Sequence, residues 1–294
     1  MIRILAPAKL NLGLEILGRR PDGYHEIRTI FCAVSLFDQL SVERSSADQV
    51  ACLPHVDVPE NLVTVALRKA RLALPHLPGA RVTISKRIPA AAGLGGASSD
   101  AAATLSSLRY LTSEPIDDCQ IADVAANCGS DVPFFLHSGL AVGAGRGEQL
   151  QPLPFIPVHA VIITPRIDLP DKTRAMYSQI GENDWTDGRQ VVALAKRLSR
   201  GELTRPDELL PNAFRRPLYD LYPEIGALAT EIEMDLGCRV QVTGAGPSLY
   251  VLCSSAAESL SVRRRLSAQI DLNWAQLHTV RSVSRLLTAE SPDV

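Results

Sequence analysis

This chain of 294 residues is defined first by what it lacks. It has no excess of charge: the formal net charge is −2, so the basic face on which nucleic-acid binding rests is not expected. Its six cysteines, at 32, 52, 119, 128, 238 and 253, include no CxxC pair. That argues against a zinc knuckle or a dithiol redox motif. Reduced core thiols, as in a cytosolic protein, are the expectation. No apolar run approaches the length that crosses a bilayer. Lys9 and Asn11 interrupt the first apolar stretch, where a secretory signal stays apolar. There is no internal repeat, no low-complexity segment and no cluster spaced for a dedicated metal site. The remaining composition, 46% apolar and 21% charged, is that of a globular core, long enough for one large domain or two ordinary ones. A cytoplasmic location is expected, with no membrane and no nucleic acid as partner. The oligomeric state is not legible.

Local patterning divides the chain. Residues 9–17 alternate, with Leu10, Leu12, Leu14 and Ile16 apolar. This is strand periodicity, and it puts Lys9 and Asn11 on one face. Residues 18–23 have turn composition. Strands are predicted over 26–36 and 39–43, a helix over 61–74 with Asn61 as its N-cap, a strand over 81–88, and helices over 101–112 and 121–127. Pro152, Pro154 and Pro157 mark a boundary. Domains of 1–153 and 154–294 are therefore expected. Beyond the boundary come strands at 159–164, 238–243, 249–253 and 277–281. Helices are predicted at 172–180, 188–199, 222–235 and 256–268, and 289–294 reads as a frayed tail. Strict βαβ alternation is absent, so the class is α+β rather than a doubly wound sheet.

The most informative stretch is Pro89-Ala90-Ala91-Ala92-Gly93-Leu94-Gly95-Gly96-Ala97-Ser98-Ser99-Asp100, between a predicted strand and a predicted helix. Glycines let backbone amides approach oxygen atoms, and a helix start adds unpaired donors and a favourable dipole. The run is not a Walker A motif, which needs Lys directly after its last Gly. It is not a dinucleotide fingerprint either, because Ser98 stands where a third Gly or Ala belongs. By itself it is a candidate phosphate loop, or a tight turn with no ligand.

Residues 89–102 resemble the phosphate loop of the GHMP kinases. Two further segments agree: Ala6-Pro-Ala-Lys-Leu-Asn-Leu12 resembles the N-terminal motif of that superfamily, and Val242-Thr-Gly-Ala-Gly-Pro-Ser248 its C-terminal Gly-rich motif. Three motifs in order over nearly the whole chain are a specific signal. Gly18-Arg-Arg-Pro-Asp-Gly-Tyr-His25, Gly95–Leu105 and Gly129-Ser-Asp-Val-Pro-Phe-Phe135 are similar to the branch that phosphorylates a CDP-linked polyol of non-mevalonate isoprenoid synthesis. Small departures are Ala97, where a third Gly is usual, and Ser130, where Ala is common. Residues 165–173 are less typical of the branch.

The resemblance implies a two-domain GHMP kinase fold. The N-terminal domain would be like the second domain of a small-subunit ribosomal protein, and the C-terminal domain ferredoxin-like. It implies ATP with Mg2+, the nucleotide being held by residues 89–99. Asp131 is the implied base on the acceptor hydroxyl, with Lys9 as its electrostatic partner. On the substrate side the resemblance implies that Tyr24 stacks on the cytosine and that His25 reads its polar edge, and Tyr177, four residues after Thr173, is the candidate for the second face of the base. Asn11 serves the substrate or the catalytic pair, and Gly244 lies on the substrate side. Mg2+ would arrive with the nucleotide, near Ser98 or Ser99, while Asp100 either contributes or caps the helix. Two alternatives stay open: a homoserine- or mevalonate-type kinase, and a non-catalytic nucleotide or RNA binder.

Overall fold

The structure, a computed structural model, describes residues 1–55, 60–137, 139–167, 172–202, 205–284 and 287–289. Its first sheet is built on a long hairpin, β1 (Ile2–Arg19) and β2 (His25–Ser45). β3 (Gln49–Leu53), β4 (Gly79–Ser85), the hairpin β5 (Leu140–Ala144) and β6 (Gln149–Pro152), and β11 (Leu287–Ala289) complete it. The order is β11-β1-β2-β4-β3, with β5 and β6 attached along the turn-proximal half of β2. Strands this long cannot keep one register over a twisted sheet. The β1–β2 pairing shifts at Pro7/Ala8, Asn11/Gly13 and Ile16/Gly18.

The first shift changes which face the even-numbered residues take. Ala6 joins the helical core with Ile4, Phe31 and Ala33. Ala8, Leu10 and Leu12 instead join the core between the two sheets. Lys9 and Asn11 are thereby turned toward the helical side, where the Gly-rich loop lies. That side is covered by α1 (Leu62–Ala73), α2 (Gly96–Ser107), α3 (Asp118–Cys128) and α4 (Val132–His137). Asn61 caps α1 by accepting from Val63 N at 2.9 Å.

The second sheet contains β7 (His159–Pro165), β8 (Val240–Val242), β9 (Leu249–Cys253) and β10 (Ala275–Arg281), all antiparallel, in the order β10-β7-β9-β8. Between its strands run α5 (Lys172–Ser178), α6 (Arg189–Ser199), α7 (Arg215–Leu221), α8 (Pro223–Leu236) and α9 (Ala256–Gln269). This is the split βαβ arrangement of ferredoxin-like domains, and the α+β class is as expected. Leu10, Leu12 and Ile30 of the first sheet share one core with Ile162, Tyr250 and Leu252 of the second. α6 lies in the region 181–211, whose role the sequence leaves open. It packs Val191, Leu194 and Leu198 into this shared core, and its start is held by buried Glu15, which accepts from Val191 N at 2.7 Å.

Several local expectations change. The strands predicted at 26–36 and 39–43 are one strand, β2, because a bulged strand reads as broken in a period-two pattern. β3, the β5–β6 hairpin, β11 and α7 carry too weak a pattern to be foreseen. Residues 108–112 leave the helix: Leu108–Tyr110 form a 3-10 turn. Ala289 belongs to β11 rather than to a frayed tail, and 290–294 lie outside the described residues. All six cysteines are free, but only Cys32 and Cys253 are buried and Cys119 is exposed. The cysteines thus form no disulfide, but they are not all core residues. Among the described residues, no helix is long and apolar enough to cross a membrane.

Candidate active site

The Gly-rich run crosses from β4 to α2 along the seam between the two sheets. Gly93 and Gly95 have φ of +79° and +72°, and Ala91 is the described non-glycine residue with positive φ, at 52°. A Cβ on Gly93 would lie 2.4 Å from Thr243 O and 2.8 Å from Gly246 O. One on Gly95 would lie 3.0 Å from Lys9 Cγ and from Phe135 Cζ. The glycines here permit close packing as well as positive φ.

Four consecutive carbonyls of the loop accept protein donors. Ala91 O accepts from Lys172 Nζ at 2.6 Å, Ala92 O from Ser248 N at 3.3 Å, Gly93 O from Thr243 Oγ1 at 3.3 Å and Leu94 O from Lys9 N at 2.9 Å. In a trans peptide the next residue's N–H points the opposite way. The amides of residues 92–95 are therefore aimed away from these contacts. Among the described residues, none of the amides from 92 to 98 donates to a protein acceptor. They form a row of unused donors at the start of α2, a site made for an anion.

Lys9 lies under this row, 3% exposed. Its Nζ donates to Asn11 Oδ1 at 2.5 Å and stands 3.9 Å from Asp131 Oδ2. Burial lowers its pKa, against the opposing pull of Asp131. Asn11 is fixed by donating to Thr29 Oγ1 at 2.7 Å, and its backbone N–H donates to Thr243 Oγ1 at 3.1 Å. Tyr250 donates its hydroxyl to Asn11 O at 2.9 Å. Asp131 stands immediately before α4 and is part-exposed. The alternation in β1 and the turn before α4 thus bring a cation and a carboxylate together across some 120 residues of chain.

A cavity of about 1080 Å³ opens over these groups. Its wall includes every residue from Pro89 to Ser98, together with Lys9, Asn11, Asp131, Tyr24, His25, Tyr177 and Gly244. Ser99 is the member of the predicted set that does not line it: the side chain is fully buried and Oγ has no partner among the described residues. Tyr24 is 54% exposed, and the Arg146 guanidinium lies 4.8 Å from its ring centroid. His25 stacks on Tyr177 at 4.7 Å, and Tyr177 meets Phe214 edge-on at 4.9 Å. Burial, then Arg19, lowers the His25 pKa and so favours the neutral imidazole.

Sequence reasoning missed three groups on or near this wall. Lys172 is buried and also donates to Gly246 O. Burial, then Lys9, pulls its pKa down to about 7. The available signal was a lysine at a helix start, where the dipole disfavours a cation. Lys86 is held between Asp38, at 2.5 Å, and Asp100, at 2.8 Å. Asp100 does not cap α2, whose N-cap is Gly95; its Oδ2 accepts from Lys86 and the residue lines the cavity. Arg146, in the β5–β6 turn, had no signal, since the hairpin itself was not foreseen.

The fold is that of the GHMP class, and the protein is a small-molecule kinase. The family described as "GHMP kinases N terminal domain" matches residues 61–139, and "GHMP kinases C terminal" matches 192–272. A 4-diphosphocytidyl-2-C-methyl-D-erythritol kinase of Dehalococcoides mccartyi is 36% identical and is covered over 89% of its length by 86% of this chain. One of Thermus thermophilus is 37% identical, with 91% of it and 87% of this chain covered. The crystal structure of a 4-(cytidine 5'-diphospho)-2C-methyl-D-erythritol kinase superposes with a TM-score of 0.76 at 33% identity, covering 95% of this chain and 98% of that one. A homoserine kinase from Cytophaga hutchinsonii shares the fold, with a TM-score of 0.73 at 16% identity over 98% of this chain and 97% of that one. The chain belongs to the 4-diphosphocytidyl-2-C-methyl-D-erythritol kinase family.

Proposed function

We propose that the protein transfers the γ-phosphoryl group of ATP to the 2-hydroxyl of 4-diphosphocytidyl-2-C-methyl-D-erythritol. The observation that carries this reading is the Lys9–Asp131 pair, 3.9 Å apart, facing the row of unused amides in one cavity. Phosphoryl transfer asks a protein chiefly for positioning and for stabilisation of charge on the transferring group. The amides of residues 92–98 hold the nucleotide phosphates. Asp131, with its carboxylate on the cavity wall, accepts the acceptor hydroxyl proton. Lys9, oriented by Asn11, stabilises the alkoxide and the charge passing to the phosphoryl oxygens. Mg2+ supplies charge neutralisation when bound with the nucleotide. Ser98, which lines the cavity, would hold it.

At the other end of the cavity, exposed Tyr24 offers a stacking face for the cytosine. Neutral His25 offers an N–H or a lone pair to its polar edge. For Tyr177 to supply the second face, its stack on His25 must open to admit the base. Gly244, whose added Cβ would approach Lys9 Nζ to 3.1 Å, keeps room beside the reacting groups. Soluble activity in the cytoplasm, where nucleotide and thiol cofactors keep cysteines reduced, accords with six free thiols.

The test is the Asp131→Asn enzyme. Its turnover should fall by about 10²–10⁴-fold while nucleotide affinity stays near wild type. Equal activity in the variant removes Asp131 from the mechanism. ADP release with homoserine or mevalonate, and none with the cytidyl polyol, overturns the substrate assignment.

A further inference from the structure

We propose that Lys172 is a positioning residue for the phosphate donor: it clamps the Gly-rich loop to the 244–248 turn so that the loop amides face the nucleotide. This rests on the reading of the loop as the ATP site. Lys172 reaches that loop from α5 of the other half of the molecule. Its Nζ donates to Ala91 O at 2.6 Å and to Gly246 O. Each acceptor belongs to a residue with positive φ, 52° at Ala91 and 71° at Gly246. Ala91 has a Cβ, so its conformation is strained and needs an outside contact to hold it. The ammonium is that contact, and it fixes the plane of the 91–92 peptide, the first in the row.

The other ties across this seam are weaker in kind. Ser248 N and the Thr243 hydroxyl each make one bond at 3.3 Å, whereas Lys172 Nζ donates to two carbonyls at once, and about twice as strongly in its protonated form. An ammonium also has three N–H groups. Two are used here, and in the protonated form the third has no acceptor among the described residues. Lys172 lines the same cavity as Lys9. It therefore brings a spare donor, as well as a clamp, to the phosphate end of the site. The catalytic scheme above makes no use of it.

The experiment is steady-state kinetics and direct MgATP binding for wild type, Lys172→Met and Lys172→Arg, with thermal melts as control. Methionine keeps the stem and removes the ammonium. Its KM for ATP should rise about tenfold or more, while kcat changes less than about threefold, and arginine should recover most of the loss. An unchanged KM for ATP in Lys172→Met overturns the proposal. So does a variant whose only defect is a lower melting temperature. Should Lys172→Met fail to fold, wild-type enzyme is pulse-acetylated with and without MgATP. Bound nucleotide should slow labelling of Lys172 by about tenfold, and unchanged labelling overturns the proposal. If wild type itself neither binds MgATP nor releases ADP, the donor reading fails and the proposal with it. Wild-type binding with an unaffected variant refutes Lys172 alone.

Discussion

Two carboxylates and one ammonium meet beneath the first turn of α2, and the imbalance has a measurable consequence. Asp38 accepts from Arg87 N at 2.6 Å and Ile88 N at 2.9 Å as well as from Lys86. Asp100 has only Lys86, and its Oδ1 is buried without a partner among the described residues. Burial, opposed by Lys86 and reinforced by Asp38, pushes the Asp100 pKa from 3.8 up to about 7. Between those two values the folded protein holds a proton that the unfolded chain has released. Stability from this group is present below pH 3.8, falls as pH rises through the window, and is flat above about 7. Each unit is worth about 1.4 kcal/mol. Asp100→Asn, which has no proton to lose, should therefore show a smaller drop in unfolding free energy from pH 5 to pH 8 than wild type, by up to a few kcal/mol, in urea titrations. Parallel pH profiles would refute the assignment. At this scale much was legible. Lys9, Asn11 and Asp131 follow from strand alternation joined to family motifs, because their chemistry needs adjacency to a phosphate loop. Lys172 and Lys86 were not, because their partners are backbone oxygens and carboxylates that only the tertiary fold brings near.

Among the elements, the Gly-rich loop and the 244–248 turn are each other's packing surface, and glycine is required at that contact. Gly93→Ala places a methyl within 2.4 Å of Thr243 O, a backbone atom with nowhere to go. It should weaken nucleotide binding more than tenfold (about 1.4 kcal/mol or more) and lower the melting temperature. Gly237 also has positive φ, 63°, at the end of α8, but a Cβ there meets nothing within 4 Å. Gly237→Ala should cost only about 1 kcal/mol and leave kinetics unchanged. Equal effects of the two substitutions on nucleotide affinity would show that backbone conformation, not the contact, is what the loop needs. The elements that sequence patterning found are those with a strong single period or a clear stop signal, such as α1 after Asn61 and α8 after Tyr222. Those it missed share a cause. β3 is an edge strand with exposed positions, and β5–β6 is threaded by Gly143, Gly145 and Gly147, so neither presents the alternation of a half-buried strand.

The whole molecule owns the site, since neither sheet contains it. Residues 1–153 keep the loop, Lys9 and Asp131, yet they lack Lys172, Thr243, Gly246, Ser248 and Tyr250, which fix the loop carbonyls and Asn11. A fragment of that span should bind MgATP at least tenfold more weakly than the full chain, even where circular dichroism shows it folded. Calorimetry giving equal affinity would mean that the first half shapes its own phosphate site. The closing partner of β1 also comes from far along the chain: Arg3 pairs with Ala289 and Leu5 with Leu287. Asn11 and Thr243 are 232 residues apart. Among the described residues, then, the edge of β1 at Arg3–Leu5 is covered by a strand made some 280 residues later. During synthesis that edge stays open until β11 is made, exposed to pairing with neighbouring nascent chains. Chains halted before Leu287 should for that reason aggregate more readily than chains that include β11.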